Sequence, residues 1–239
     1  AFRRLGVRTL GVEPSGNVAE IARADGVETM TAFFNSTTAS EVRTRYGAPK
    51  AFIGNNVLAH VPDTNAFLIA ARDLIADDGF LCFEFPHFRH ILDRRYFDTI
   101  YHEHYVYLGV GPLMRWAALS GMVISAVEQQ TTHGGSLRVF LRKREPGARP
   151  SDVVRQFLED EEAFAGEAPW RRLGEWLEDW RTRFRALVEG WNSHGVKVAG
   201  YAAASKATVI CNFLGLTDRD VAYCCDGSSL KQGRMIPGT

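Results

Sequence analysis

Lys50-Ala51-Phe52-Ile53-Gly54, followed by Pro62 to Ala76 and then by Gly79-Phe80-Leu81-Cys82-Phe83-Glu84-Phe85-Pro86, decides the fold. The first run is short and apolar, as a buried strand is. The second starts with proline in its first turn and carries its apolar residues at helical spacing. The third is again a short apolar run, bounded by Asp78-Gly79 and by Pro86, and reads as another strand. A strand, a helix and a strand joined by short connections form the unit from which parallel sheets are built.

The same alternation extends toward the N-terminus. Arg8 to Val12 reads as a strand ending in Glu13, and Ser15 to Asp25 as a helix with Ser15 or Asn17 at its cap and Gly26 as its stop. Val27 to Phe34 reads as the next strand and Thr38 to Tyr46 as the next helix. Repeated units of this kind predict a doubly wound parallel sheet with helices on both faces, whose ligands lie beyond the carboxyl ends of the strands. Those ends carry Glu13, Asn35, Asn55 with Asn56, and Glu84.

Toward the C-terminus, Pro112 to Ser120 looks helical, and Val123 to Gln129 and Ser136 to Arg142 look like two strands joined through Thr132-His133-Gly134-Gly135. A doubly wound sheet that closes in an antiparallel hairpin is the outline of class I methyltransferases, although a fold alone does not assign a function. After Lys143 the composition changes: Arg144 to Pro150 is a linker rich in Pro, Gly and Arg. Two charged helices follow, Asp152 to Phe164 and Pro169 to Asn192, the second with Trp176, Trp180, Phe184, Leu187 and Trp191 on one stripe. A strand from Val196 to Tyr201, a helix reaching Leu214 and a strand from Val221 to Cys225 then form a second strand-helix unit. The expected organisation is a Rossmann-like domain over residues 1–143, a linker with helices over 144–194, and a smaller α/β domain beginning at 195. The helix-tail look of Phe2 to Gly6 and the abrupt ending at Thr239 suggest that segments are missing at both ends.

One stretch stands apart from this periodicity. Tyr96-Phe97-Asp98-Thr99-Ile100-Tyr101-His102-Glu103-His104-Tyr105 interleaves two histidines, a glutamate and three tyrosines just after a strand. Proton donors and acceptors mixed with aromatics suit a partly dry pocket that moves protons. Composition narrows the setting around it. Acidic and basic residues balance at 28 each, so no basic excess points to nucleic acid, and no long uncharged apolar run points to a membrane span. Cys82, Cys211, Cys224 and Cys225 show neither zinc-site spacing nor an extracellular disulfide framework, and they read as reduced core thiols of a cytoplasmic protein.

Five motifs carry a family resemblance: Asn56-Val57-Leu58-Ala59-His60-Val61-Pro62-Asp63, the run from Phe97 to His104, His133-Gly134-Gly135-Ser136-Leu137-Arg138, Gly200-Tyr201-Ala202-Ala203-Ala204-Ser205-Lys206, and Leu230-Lys231-Gln232-Gly233-Arg234 with Pro237-Gly238-Thr239. In order and in kind they resemble the S-adenosylmethionine-dependent deoxysugar C-methyltransferases, and they span nearly the whole chain. The family's cysteine-rich zinc-binding segment and glycine-rich first strand turn do not occur in this sequence, so zinc is expected only in a missing N-terminal segment and no metal site in the chain itself.

The resemblance implies methylation of a carbon next to a keto group on a nucleotide-linked 4-keto-6-deoxyhexose, with S-adenosylmethionine as methyl donor. That carbon must lose a proton to become an enolate, which histidine is suited to accept near neutral pH. By motif match His104 is the base, Tyr101 and Glu103 position sugar and base, and His60 donates toward the keto oxygen; residue chemistry alone leaves either histidine as the proton acceptor. Glu13, at a strand end, suits the ribose hydroxyls of the cofactor, Asn35 and Asn55 its adenine and methionine parts, and Tyr201 and Lys206 the nucleotide half of the substrate. Rival readings are a nucleotide-sugar oxidoreductase or epimerase, a non-catalytic nucleotide-sugar binding protein, and a metal enzyme using His87, His90, His102, Glu103 and His104.

Overall fold

The computed structural model describes residues 2–147 and 149–239, His133 by its backbone alone. Ala1, Ala148 of the linker and the His133 side chain of the His-Gly-Gly motif therefore lie outside the described residues. The chain divides into two compact units. The first runs to Pro86 and resumes over Leu108–Glu159; the second comprises His87–Tyr107 and Asp160–Thr239.

In the first unit β1 (Gly11–Glu13), α1 (Gly16–Ala24), β2 (Thr29–Thr31), α2 (Ser36–Tyr46), β3 (Ala51–Asn55), α3 (Thr64–Leu74) and β4 (Phe80–Pro86) alternate as the sequence predicts. They are followed by α5 (Val110–Leu119) and the hairpin of β5 (Met122–Gln130) and β6 (Ser136–Lys143). The pairs β1 with β2 and β3 with β4 are parallel, whereas β6 joins β4 and β5 antiparallel. The expected single doubly wound sheet is divided into β1-β2 and β3-β4-β6-β5. β1 and β2 hold only three residues each, and pairing between distant segments leaves no local signal.

α2 and α3 unite the two pieces from one side. Ala39, Val42, Ala70 and Leu74 form a buried cluster against which Leu10 and Val12, Met30, Phe34 and Phe52 pack. An edge-to-face group extends it, with ring centroids 4.8 Å apart for Phe34 and Phe52 and 5.1 Å for Phe34 and Phe67. β4 is buried along its interior, Leu81, Phe83 and Phe85 completely so, which explains why it reads as an unbroken apolar run. Each of these side chains contributes about 2 kcal/mol by leaving water. Gly54 is required where β3 crosses Phe83, since a methyl group there would meet the ring at 3.1 Å.

The second unit holds α4 (Arg89–Asp93), the long α7 (Ala168–Ser193), β7 (Ala199–Tyr201), α8 (Ser205–Leu214) and β8 (Tyr223–Cys225), and α6 (Asp152–Glu162) ends within it. β7 and β8 are parallel and shorter than the apolar pattern predicts; Val196 lies outside the strand and is half exposed. The stripe on α7 is an aromatic stack: Trp180 lies parallel to Trp176 at 6.0 Å and to Phe213 of α8 at 6.3 Å. Phe97 closes on Trp180 and Phe213 at 5.6 and 5.1 Å, so that the segment 87–107 groups with C-terminal residues across the boundary expected at 143. No helix among the described residues is long and apolar enough to cross a membrane.

Candidate functional site

In the first unit, Glu13, Asn35, Asn55 and His60 lie at or just beyond the carboxyl ends of the parallel strands, as such sheets require of ligand-binding positions. Glu13 closes β1, and its Oε1 accepts the Ser15 N–H at 2.8 Å, which fixes the carboxylate beside the start of α1. Asn35 is the cap of α2: its Oδ1 accepts the Thr38 N–H at 3.0 Å. Asn55 ends β3 directly opposite Glu84. Asn56 then takes the left-handed conformation at φ 53°, its N–H bonded to the Glu84 carbonyl at 2.7 Å, and the chain turns into the short 3-10 segment Leu58–His60, where His60 is exposed.

Glu84 is more than a strand-end acid. Its buried carboxylate accepts Arg138 Nη2–H at 2.7 Å and Nε–H at 3.2 Å on one oxygen, and the Thr132 hydroxyl at 2.8 Å on the other. A buried carboxylate persists only when its lone pairs are met in this way. The result is a fixed origin for the Thr132–Gly134 turn, with the guanidinium held firmly charged by its bond to Glu84.

In the second unit the run from Tyr96 to Tyr105 forms a 3-10 turn, Phe97–Thr99, and a bend. The bend folds Tyr101 back onto His104. The His104 ring donates from Nδ1–H to the Thr99 carbonyl at 2.8 Å, and its Nε2 accepts the Tyr101 hydroxyl at 3.1 Å. The rings lie 4.2 Å apart at 33°, and Tyr107 meets His104 edge-on at 6.2 Å. The Thr99 carbonyl therefore sets the tautomer and leaves Nε2 as the basic nitrogen. Burial raises the Tyr101 phenol above its ordinary pKa, and the charges of Glu103 and Asp98 add to this. Glu103 and His102 are exposed.

Tyr201 ends β7 with its side chain 90% exposed. Lys206 stands in the first turn of α8, and its Nζ donates to Asp98 Oδ1 at 3.3 Å, which ties α8 to the 3-10 turn beside the Tyr101–His104 pair. The histidines of the metal reading go to separate partners: His87 to Glu161 at 2.8 Å, His90 to Asp93 at 3.3 Å, and His104 to Tyr101 and Thr99. Among the described residues no group of three or more His, Cys, Asp or Glu side chains is arranged to hold a metal ion. Sequence reasoning assigned no role to Thr99, Arg138 or Glu161. Thr99 acts through its backbone, which leaves no side-chain signal, and the other two are recognisable only from partners 54 and 74 residues away.

A family model described as the C-methyltransferase C-terminal domain matches residues 131–239, in agreement with the C-methyltransferases that the sequence motifs resemble. A curated member, the C-methyltransferase NovU of Streptomyces niveus, is 33% identical over 240 residues, covering 100% of this chain and 57% of that protein. The chain thus spans a little over half the length of that relative. Solved structures with a similar outline include the CcbJ methyltransferase of Streptomyces caelestis, with TM-score 0.45, 11% identity, and coverage of 59% of this chain and 77% of that one. Another is the magnesium protoporphyrin IX methyltransferase of Synechocystis PCC 6803 with bound SAH, with TM-score 0.44, 14% identity, and coverage of 59% and 66% respectively.

Proposed function

We propose that this chain forms part of a cytoplasmic enzyme that methylates the carbon next to a keto group of a nucleotide-linked deoxysugar. The observation that carries this reading is the hydrogen-bonded series from the Tyr101 hydroxyl through the His104 ring to the Thr99 carbonyl. Methylation at carbon needs a carbon acid to lose its proton, and the series is a proton acceptor held in one tautomer.

Because His104 Nε2 already receives the Tyr101 hydroxyl, the two act together. Tyr101 takes the proton from the sugar carbon as its own hydroxyl proton passes to Nε2, and the imidazolium so formed keeps its Nδ1–H on the Thr99 carbonyl. The raised phenol pKa keeps Tyr101 neutral before the step, as such a relay requires. This shifts the direct contact with substrate from His104, the residue favoured by motif, to Tyr101. Glu103 orients a sugar hydroxyl.

S-Adenosylmethionine supplies the electrophilic methyl group. The first unit suits such a ligand: Glu13, fixed by Ser15 at a strand end, matches a ribose diol, while the Asn35 and Asn55 amides match polar atoms of the adenine and methionine parts. Lys206 and Tyr201 serve the nucleotide half of the substrate, the ammonium retaining donors beyond the one directed at Asp98. The test is incubation of the full-length protein with methyl-labelled S-adenosylmethionine and a panel of nucleotide-linked keto sugars. Label recovered on a sugar carbon supports the reading, and label on none of them refutes it.

A further inference from the structure

The segment carrying Tyr101 and His104 has little regular structure of its own, yet it begins on an unusual anchor. His87, its first residue, is 4% exposed, and Glu161 near the end of α6 is 7% exposed; His87 Nε2–H donates to Glu161 Oε1 at 2.8 Å. The proposed reaction uses neither group. A buried pair of this kind is costly to break, because removal of one partner strips the other of its bond in a place that water does not reach. The same end of α6 takes the next residue but one, since Arg89 reaches Asp160 at 3.7 Å and its guanidinium covers the Phe164 ring at 5.0 Å.

From His87 an unbroken hydrogen-bonded path leads to the reacting histidine. The His90 N–H donates to the His87 carbonyl at 3.0 Å, the Tyr96 N–H to the His90 carbonyl at 3.3 Å, and the Thr99 N–H to the Tyr96 carbonyl at 3.3 Å. The Thr99 carbonyl then accepts His104 Nδ1–H at 2.8 Å. Between these points the backbone passes through Arg95 at φ 60°, a conformation costly for a residue with a side chain and retained only where the surroundings impose it.

We propose that Glu161 is a positioning residue for the Tyr101–His104 pair. Its bond to His87 fixes the start of the segment, and the path through His90, Tyr96 and Thr99 transmits that position to the carbonyl that sets the His104 tautomer. The catalytic part of this inference rests on the function proposed above; the mechanical part does not.

The test uses the full-length protein with Glu161→Ala and Glu161→Gln, the latter keeping an acceptor for His87, and with His87→Gln in case the alanine variant fails to fold. Amide hydrogen exchange is followed in residues 96–107 and, as a reference, in β6. Glu161→Ala is expected to speed exchange over 96–107 by about tenfold or more while leaving β6 unchanged, and Glu161→Gln to recover most of the protection. Turnover should fall about tenfold or more in the alanine variant with KM for S-adenosylmethionine unchanged, since misplacing a reacting group acts on the chemical step. Unchanged exchange over 96–107, or equal acceleration in β6, overturns the proposal. The exchange measurement needs no substrate, so an inactive wild type with the expected exchange response refutes the proposed function and leaves the latch standing.

Discussion

Replacing Tyr101 by Phe removes one oxygen from the centre of the proposed chemistry and little else. The ring that faces His104 at 4.2 Å remains, and the imidazole keeps its Nδ1–H bond to the Thr99 carbonyl and its edge contact with Tyr107. What disappears is the 3.1 Å hydroxyl bond to Nε2. A neutral, partly exposed hydrogen bond is worth about 1 kcal/mol of stability, so the melting temperature should move by only a few degrees, about 2–4 °C for a chain of this size. A proton relay carries much more of the barrier than that. Loss of a positioned acid or base costs about 100- to 10,000-fold in rate, equivalent to about 3–5 kcal/mol at 1.36 kcal/mol per tenfold. The assay is exchange of the sugar C–H for deuterium in D2O, which reads proton abstraction without methyl transfer, run beside methylation under single-turnover conditions. If both rates stay within about threefold of wild type, well below the loss expected of an acid-base group, then Nε2 takes the proton directly and the relay is wrong.

Three further outcomes follow from other parts of the molecule. Because the Tyr101 phenol is raised, folding is favoured by its proton: the contribution is whole below the unfolded phenol pKa, about 10, and is lost as pH rises through the higher folded value. Thermal unfolding between neutral and strongly alkaline pH should therefore fall less steeply in Tyr101→Phe than in wild type, and identical slopes would contradict the raised pKa. Glu84→Ala leaves Arg138 and Thr132 without their shared acceptor and should cost about 3 kcal/mol in urea unfolding, with Glu84→Gln intermediate. Asn35→Ala should lose about 1 kcal/mol with the cap of α2, whereas Asn35→Asp, which keeps an acceptor for the Thr38 N–H, should retain stability.

The order of strands and helices in the first unit was legible from their apolar patterns, although β1 and β2 are shorter than the runs Arg8 to Val12 and Val27 to Phe34 predict, and α4 in the second unit carried no such signal. β3, α3 and β4 agree with the apolar runs at Lys50 to Gly54, Pro62 to Ala76 and Gly79 to Phe85 within about two residues. What stayed hidden was set by distant partners. The division of the sheet between β1-β2 and β3-β4-β6-β5 is a matter of pairing that no single strand announces. The run Tyr96 to Tyr105 stood out by its composition but its shape was not legible: with no period to follow, its geometry comes from Phe97 against Trp180 and Phe213 and from the Lys206–Asp98 bond. Asn35 was read as a ligand contact from its strand-end position, and the same position makes it a helix cap, because the chain leaves a parallel strand to begin a helix there.

That cap has a consequence for molecular recognition. A free asparagine side chain is ambidextrous, offering an acceptor and two donors and turning to suit whatever it meets. At position 35 one lone pair of the oxygen is committed to the Thr38 N–H, so the amide cannot flip without uncapping α2, and its N–H donors and its remaining lone pair face outward in a fixed arrangement. The fold has converted a group that turns to suit its ligand into one whose donor and acceptor sides are set in advance, and that orientation was imposed by the need to start a helix.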